Sequence, residues 1–354
     1  MRQLMLAFAL LPVSVLALPP AAMPPAVTPH AVTPPASSGA HVVTHLALGG
    51  IGGWDYPTVD GAHHRLYLSR GDRVMVVDTT SGKAVGEIAH TDGVHGVALA
   101  QHHGVGFTSN GKANTVTVFD LHSLRTLTEI AIPGRGPDAI LYDRASDRVL
   151  TFNGKSEDIT VIDAGKRTVV ATIKLDGNPE FAASDGKGHV LVNIESKGEV
   201  AQLDPRAAKV LGTWTLGGCE EPSGLAVDVA HRRTFSVCQN AMMVVLDADT
   251  GHRVAQLPIG AGPDGAAFDP ALGLAYSANG HDGTLTVVHE DDPDHFHVVA
   301  NVPTQASART ITLDEGSHRV YLPAANFGPL PADAPAHTRP PMLPDSFGVV
   351  VLQP

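Results

Sequence analysis

Ile159-Thr160-Val161-Ile162-Asp163 is a short apolar run closed by an aspartate, and the chain repeats it. Val74-Met75-Val76-Val77-Asp78, Val116-Thr117-Val118-Phe119-Asp120 and Met243-Val244-Val245-Leu246-Asp247 share the form. Val200-Ala201-Gln202-Leu203-Asp204 is a weaker copy, and Leu285-Thr286-Val287-Val288-His289 exchanges the aspartate for histidine. The closing positions 78, 120, 163, 204, 247 and 289 lie 42, 43, 41, 43 and 42 residues apart. A second phrase, Gly136-Pro137-Asp138 and Gly262-Pro263-Asp264, opens another apolar run, with Asn178-Pro179-Glu180 and Glu221-Pro222-Ser223 as variants.

Each period therefore reads as an inner strand (139–142), a polar turn, a second strand (148–152), a loop, the Asp-ended strand and an outer strand (169–175). The runs are short, rich in Val, Ile, Thr and Leu, and broken by Gly, Asn, Asp and Pro, which is strand-and-turn chemistry. No apolar period of 3.6 is sustained beyond the N-terminal segment. Four strands per repeat of this length predict an all-β fold, a β-propeller blade by blade. Inner strands starting near Trp54, Val94, Pro137, Pro179, Pro222, Pro263 and Ala308 predict a seven-bladed ring over 41–354. The seventh blade runs out of chain after Gly348-Val349-Val350-Val351-Leu352. Val42–Gly49 resembles the outer strands 127–133 and 254–260, so this N-terminal strand is expected to close the last blade.

Asn153…Ile159-Thr160-Val161-Ile162-Asp163…Val169-Val170-Ala171-Thr172-Ile173 resembles the YVTN β-propeller repeat of YncE-like exported proteins. Val244-Val245-Leu246-Asp247-Ala248-Asp249-Thr250-Gly251…Val254–Gly260…Pro263 resembles it more closely still. The likeness spans nearly all of 41–354. It departs from the repeat at Cys238, where an Asn is expected, and in an insertion after Asn326. The architecture implies the fold; its relatives include binding proteins, dehydrogenase subunits and lactone-cleaving enzymes, so function must come from the site.

The chain has 354 residues and a formal net charge of −12, with 43% hydrophobic and 17% charged residues. That composition excludes a disordered chain and argues against a sequence-independent grip on nucleic acid, which needs a basic surface. Met1–Leu18 has one early charge, Arg2, then an apolar run ending in Val15-Leu16-Ala17, so a signal peptide over 1–17 cleaved after Ala17 is expected. The run is too short for a membrane span. No cysteine follows it that could carry a lipid anchor. Residues 18–40 read as a Pro-rich linker. The expectation is a periplasmic or secreted monomer with no membrane span after cleavage.

In a propeller, the residue beside each inner-strand start faces the channel mouth. In blade order these are Asp55, His95, Asp138, Glu180, Ser223, Asp264 and Arg309, with Trp54, Glu220 and Glu221 nearby. Trp54, Asp55, His95, Asp138, Glu180, Glu221, Asp264 and Arg309 are thus the expected ligand-binding set. Clustered carboxylates repel, which raises some pKa values or recruits a cation. A divalent ion, Ca²⁺ or another, on Asp138, Glu180 and Asp264 is the cofactor such a funnel could hold. A solvated rim is the alternative. Arg309 could orient an anionic group or simply neutralise the ring.

Asn110, Asn153, Asn279, His281 and Asn326 fall in loops of the same face; the Asn-Gly pairs read as turns. The insertion 327–347 could lid the funnel or form a loose loop. His63-His64, His102-His103, His189, His231 and His318 recur at the first-to-second-strand turn of the opposite face, as expected of tolerated surface positions. Glu290-Asp291-Asp292-Pro293-Asp294-His295…His297 is the best local metal candidate outside the channel, or a solvated charged turn. The repeated Asp78, Asp120, Asp163, Asp204 and Asp247 are expected to cap the turns that follow them. Cys219 and Cys238 flank one unit on the mouth face, so export favours a disulfide over a metal-binding pair.

Cys-x-x-Cys-His, His-Glu-x-x-His and Gly-x-Ser-x-Gly are all missing from the sequence, which removes covalent haem, zincin and serine-hydrolase elbow chemistry. Three functions remain. One is binding of a small polar ligand, metal or protein partner at the mouth. The second is a metal-assisted hydrolase or lyase acting on a lactone or sugar-like substrate, with His95, Asp138, Glu180 and Asp264 as catalytic candidates. The third is a structural subunit or partner of a periplasmic redox enzyme.

Overall fold

A strand in which residues on both faces are apolar must be covered on both sides, and the second and third strands of every repeat have that character. The computed structural model describes residues 39–330 and 340–354; the expected signal peptide and most of the linker lie outside the described residues. In these, strands join antiparallel into five four-stranded sheets and one seven-stranded sheet. The large sheet holds two repeats fused through one long strand, Lys83–Ala100. Its first half pairs with Gly71–Asp78 and its second with Val105–Asn110. Those halves are numbered below as separate units, the first and the second, with the five four-stranded sheets following in chain order.

Seven hydrophobic clusters sit between successive units. Leu150, Phe152 and Val161 of the third unit pack on Val190, Val192 and Ile194 of the fourth. Leu66, Leu68 and Val77 of the first pack on Tyr321, Val349 and Val351 of the last. The last unit is completed as predicted: His41–Ala47 pairs with Gly348–Gln353. The ring thereby has no open seam between its ends, which removes an unpaired edge. The fold is a β-propeller.

Repeat residues explain the units locally. Asp78 accepts from the backbone N–H and hydroxyl of Ser81 at 2.7 and 2.8 Å; Asp120 does the same with Ser123, and Asp247 with Thr250. These aspartates cap their turns, as expected. The repeated asparagines do more than turn the chain. Asn110, Asn153 and Asn279 are fully buried. Asn153 accepts from Thr151 and donates to Asp158 and Thr160, at 2.9–3.0 Å, stitching the second strand to the third. Asn110 and Asn279 make equivalent sets. In the fifth unit Cys238 replaces this asparagine, and a disulfide to Cys219 replaces the stitch.

That bond spans a sequence separation of 19, and closing a loop of this size is worth about 3 kcal/mol through the unfolded chain. Reduction, or a Cys219→Ser/Cys238→Ser variant, is expected to lower stability by that order in denaturant titration. Unchanged unfolding with two free thiols titratable would refute it. A disulfide is compatible with an extracytoplasmic location. Among the described residues no helix is long and apolar enough to cross a membrane.

Candidate functional site at the channel mouth

The inner strands do not pair regularly from their first residue. A register shift lies at the start of those carrying His95, Asp138, Glu180, Ser223 and Asp264. Such bulges re-aim side chains at the rim of a closed sheet array. Hydroxyls of the second strands pin the bulges: Ser69 accepts from the Asp55 N–H at 2.8 Å, and Ser109 accepts from the Gly96 N–H while donating to the Asp138 carbonyl. Thr310 donates to the Asp55 carbonyl at 3.0 Å, tying the last unit to the first.

The predicted residues then meet across units. His95 Nδ1 lies 2.8 Å from Asp55 and 3.1 Å from Asp138. Arg309 donates to Asp264 at 2.6 Å and approaches Asp55 at 3.5 Å. It also reaches the Trp54 carbonyl, and its guanidinium stands 5.7 Å from the Trp54 ring centre. Burial works against charge on His95, but the hydrogen bonds and charges of Asp138 and Asp55 outweigh it and lift the imidazole to about 10. Burial likewise lifts the Asp264 carboxyl to about 6 against the lowering pull of Arg309, with Asp55 and Asp138 adding to the rise. Glu180 is held well above the usual carboxylate range, by burial first and then by Asp138.

Two adjoining cavities use these residues. One, about 450 Å³, is lined by Asp55, His95, Lys112, Asp138, Glu180 and Val94. The other, about 720 Å³, is lined by Gln239, His281, Ser307, Phe327, Pro340 and Met342. Gly53, Trp54, Asp264 and Arg309 belong to both. Polar and apolar walls thus meet at the Trp54–Arg309 contact. His281, and Phe327 from the insertion after Asn326, do reach the mouth; residues 331–339 of that insertion lie outside the described residues.

Several expected members fall elsewhere. Glu221 is exposed and lines neither cavity. It stands in its phrase where Gly136 and Gly262 stand in theirs, and shares their left-handed backbone, with φ of 46° against 61° and 68°. Ser223 is buried and donates to the Pro263 carbonyl. The cation grouping also changes: Asp264 is engaged by Arg309 and Glu180 by the Tyr56 hydroxyl at 2.7 Å. The carboxylates within ligating reach of one another and of an imidazole are Asp55 and Asp138, with His95.

Tyr56 is the residue sequence reasoning missed. It is buried, packs with its ring tilted against Phe181 at 5.1 Å between ring centres, and donates to a carboxyl 124 residues away. A signal exists: the residue after each mouth position is Tyr56, Gly96, Ala139, Phe181, Gly224, Gly265 and Thr310, so two aromatics stand among small neighbours. A Cβ on Gly224 would come within 2.5 Å of the Ala266 nitrogen, so at that unit the neighbouring inner strand leaves no room for a side chain.

Fold and site together define a β-propeller with a two-part pocket over its axis. No protein-family model matches the chain, and no curated protein matches it either. Among solved structures it is similar to Kuenenia stuttgartiensis hydrazine synthase, with a TM-score of 0.69 and 17% identity, covering 78% of this chain and 93% of that one. At that identity the likeness is one of fold.

Proposed function

We propose that this chain is an exported YncE-like seven-bladed propeller that binds a small hydroxylated ligand at the channel mouth. The observation that carries the reading is the continuity of the two cavities through Trp54 and Arg309. An apolar ligand face would lie on Trp54, Phe327 and Met342. Its hydroxyls would meet Asp55, His95, Asp138 and Glu180, a few placed polar groups against an apolar wall. The carboxylates accept from hydroxyls, while Arg309 and Lys112 offer donors to a ring oxygen or a carboxylate.

Thermal-shift measurements with sugars, sugar lactones and sugar acids test this. At least one member of that panel should raise the melting temperature, and Trp54→Ala and Asp138→Asn should each weaken binding at least tenfold while leaving the propeller folded. No shift from any member at millimolar concentration, or shifts untouched by both substitutions, would refute the site.

A second reading, hydrolysis or lysis of a lactone or sugar-like substrate, is favoured by one feature. Burial and the nearby Asp138 hold the Glu180 carboxyl well above the usual carboxylate range, which favours its acting as a proton donor. A divalent ion on Asp55, His95 and Asp138 would serve it as a Lewis acid. Product formation from the lactone panel, lost in Glu180→Gln, separates catalysis from binding.

A further inference from the structure

The histidines of the opposite face are not idle surface positions. Four of them pair with a buried aspartate of the inner strand's far end: His63 with Asp60, His189 with Asp185, His231 with Asp228 and His318 with Asp269. In three units donors saturate the carboxylate. Asp60 accepts from the His63 N–H and ring and from Gln101; Asp185 from Lys187, His189 and Arg232; Asp269 from Ala271, Leu272 and His318.

The fifth unit breaks the rule. Glu290 enters from the third strand of the sixth unit, so His231 Nδ1 faces two carboxylates, each at 2.8 Å, Asp228 Oδ2 and Glu290 Oε1. Both acid side chains are almost wholly buried, at 2% and 3% exposed. One ring nitrogen carries at most one proton, so it cannot donate to both. With the ring bonded to Glu290 Oε1, Asp228 Oδ2 is left without a hydrogen-bond partner among the described residues, and the other Glu290 oxygen, Oε2, is likewise buried without one. The other Asp228 oxygen accepts from the Ala230 N–H at 2.9 Å, which fixes the carboxylate in place. An unpartnered Asp228 oxygen 2.8 Å from the imidazole nitrogen, with a second unpartnered oxygen on the Glu290 carboxylate that the same nitrogen faces, forms an excess of buried acceptors that a cation would satisfy.

We propose that Asp228, His231 and Glu290 form a divalent transition-metal site of the zinc class, separate from the channel mouth. All three donor atoms lie within 4.8 Å of one another. Tetrahedral ligands at zinc distances stand roughly 3.3 Å apart, so each 2.8 Å nitrogen–oxygen separation needs to open by about half an ångström. His231 is half-exposed, which leaves room for water at the fourth position. A mixed nitrogen and oxygen donor set favours zinc, manganese or cobalt over calcium. The same hairpin carries His289, Asp291 and His297 on the other side of the strand, an exposed cluster whose acid is already bonded to both rings. It lacks the unpartnered buried oxygens that single out the site of Glu290.

The competing account is a proton. Burial raises the Glu290 carboxyl to about 7, with Asp228 adding to the rise, so a protonated Glu290 could donate to Asp228. Zinc titration of chelator-treated mature protein by calorimetry distinguishes the two. One tight equivalent is expected, weakened at least tenfold in Glu290→Gln and in the half-exposed His231→Ala, and retained in His297→Ala and in Asp55→Asn. X-ray absorption of the wild-type zinc complex should show one imidazole among oxygen ligands, a readout that needs no variant. Absence of a tight equivalent, two imidazoles on the metal, or loss of binding in His297→Ala or Asp55→Asn would overturn the assignment.

Discussion

A chain carrying Arg309→Leu is expected to lose about 3 kcal/mol of stability at pH 8, and to regain most of it when Asp264 is also changed to Asn. The reasoning starts from where the charges stand. Asp264 and Asp55 are four-fifths buried, and Arg309 contacts both, at 2.6 and 3.5 Å. Leucine would leave those carboxylates facing one another, with Asp138 close by, in a site that already disfavours the charge of Asp264. The guanidinium also spans the last and first units through the Trp54 carbonyl, so part of the loss falls on ring closure. The pocket opens to solvent, which keeps the figure at the low end for a broken buried pair. Lowering the pH toward 5 should rescue the single variant, because protonated Asp264 no longer needs a counter-charge. The check is a double-mutant cycle by denaturant unfolding at both pH values. Strictly additive losses, or no rescue by acid, would mean that Arg309 acts by packing on Trp54 alone.

Much of this arrangement is legible in the sequence. The Asp-ended strand announces itself because its side chains alternate with period two and its aspartate caps the next turn, so each unit repeats a local chemical necessity. Ring closure is readable because the seventh unit runs out of strands while Val42–Gly49 resembles the outer strands 127–133 and 254–260. Asp55, His95, Asp138, Asp264 and Arg309 were readable because each follows the same step into an inner strand. Glu221 was misplaced because proline register, and not mere proximity in sequence, decides which residue enters the bulge: Pro222 aligns with Pro137 and Pro263, leaving Ser223 in the mouth position. Tyr56 was missed because its meaning depends on a partner from a unit far along the chain. Which carboxylate answers which cation likewise depends on distances of a few ångströms between units, and no repeat encodes those. The pairing of turn histidines with buried aspartates was hidden for a related reason: exposure of the imidazole ring says nothing about burial of the acid behind it.

The same charges give the protein an unusual pH dependence: its stability should be greatest near pH 4–5 and fall steadily toward pH 10. Three groups set the sign. Asp264 has a folded value near 6 against the usual 3.8, so the native state holds its proton more tightly, and stability is lost as pH rises between those values. That shift alone amounts to about 3 kcal/mol, reduced to about 2 by solvent at the open mouth. Glu180, also raised, adds loss in the same direction from its own unfolded value upward. His95 is raised from 6.5 to about 10, so its contribution is complete below 6.5 and disappears as pH climbs through 10. Carboxylates that act oppositely, Asp147, Asp185, Asp247 and Asp291 among them, are lowered by their partners and so withdraw stability only below about pH 4. Denaturant unfolding at half-unit steps from pH 4.5 to 9.5 should therefore give a falling curve for the wild type. A His95→Gln/Asp264→Asn variant should give a much flatter one, with the remaining slope belonging to the other raised carboxyls, Glu180, Glu195 and Glu290. A wild-type curve that is level or rises across this range would show that the mouth carboxylates are solvated as a free rim and are not held against one another by the ring.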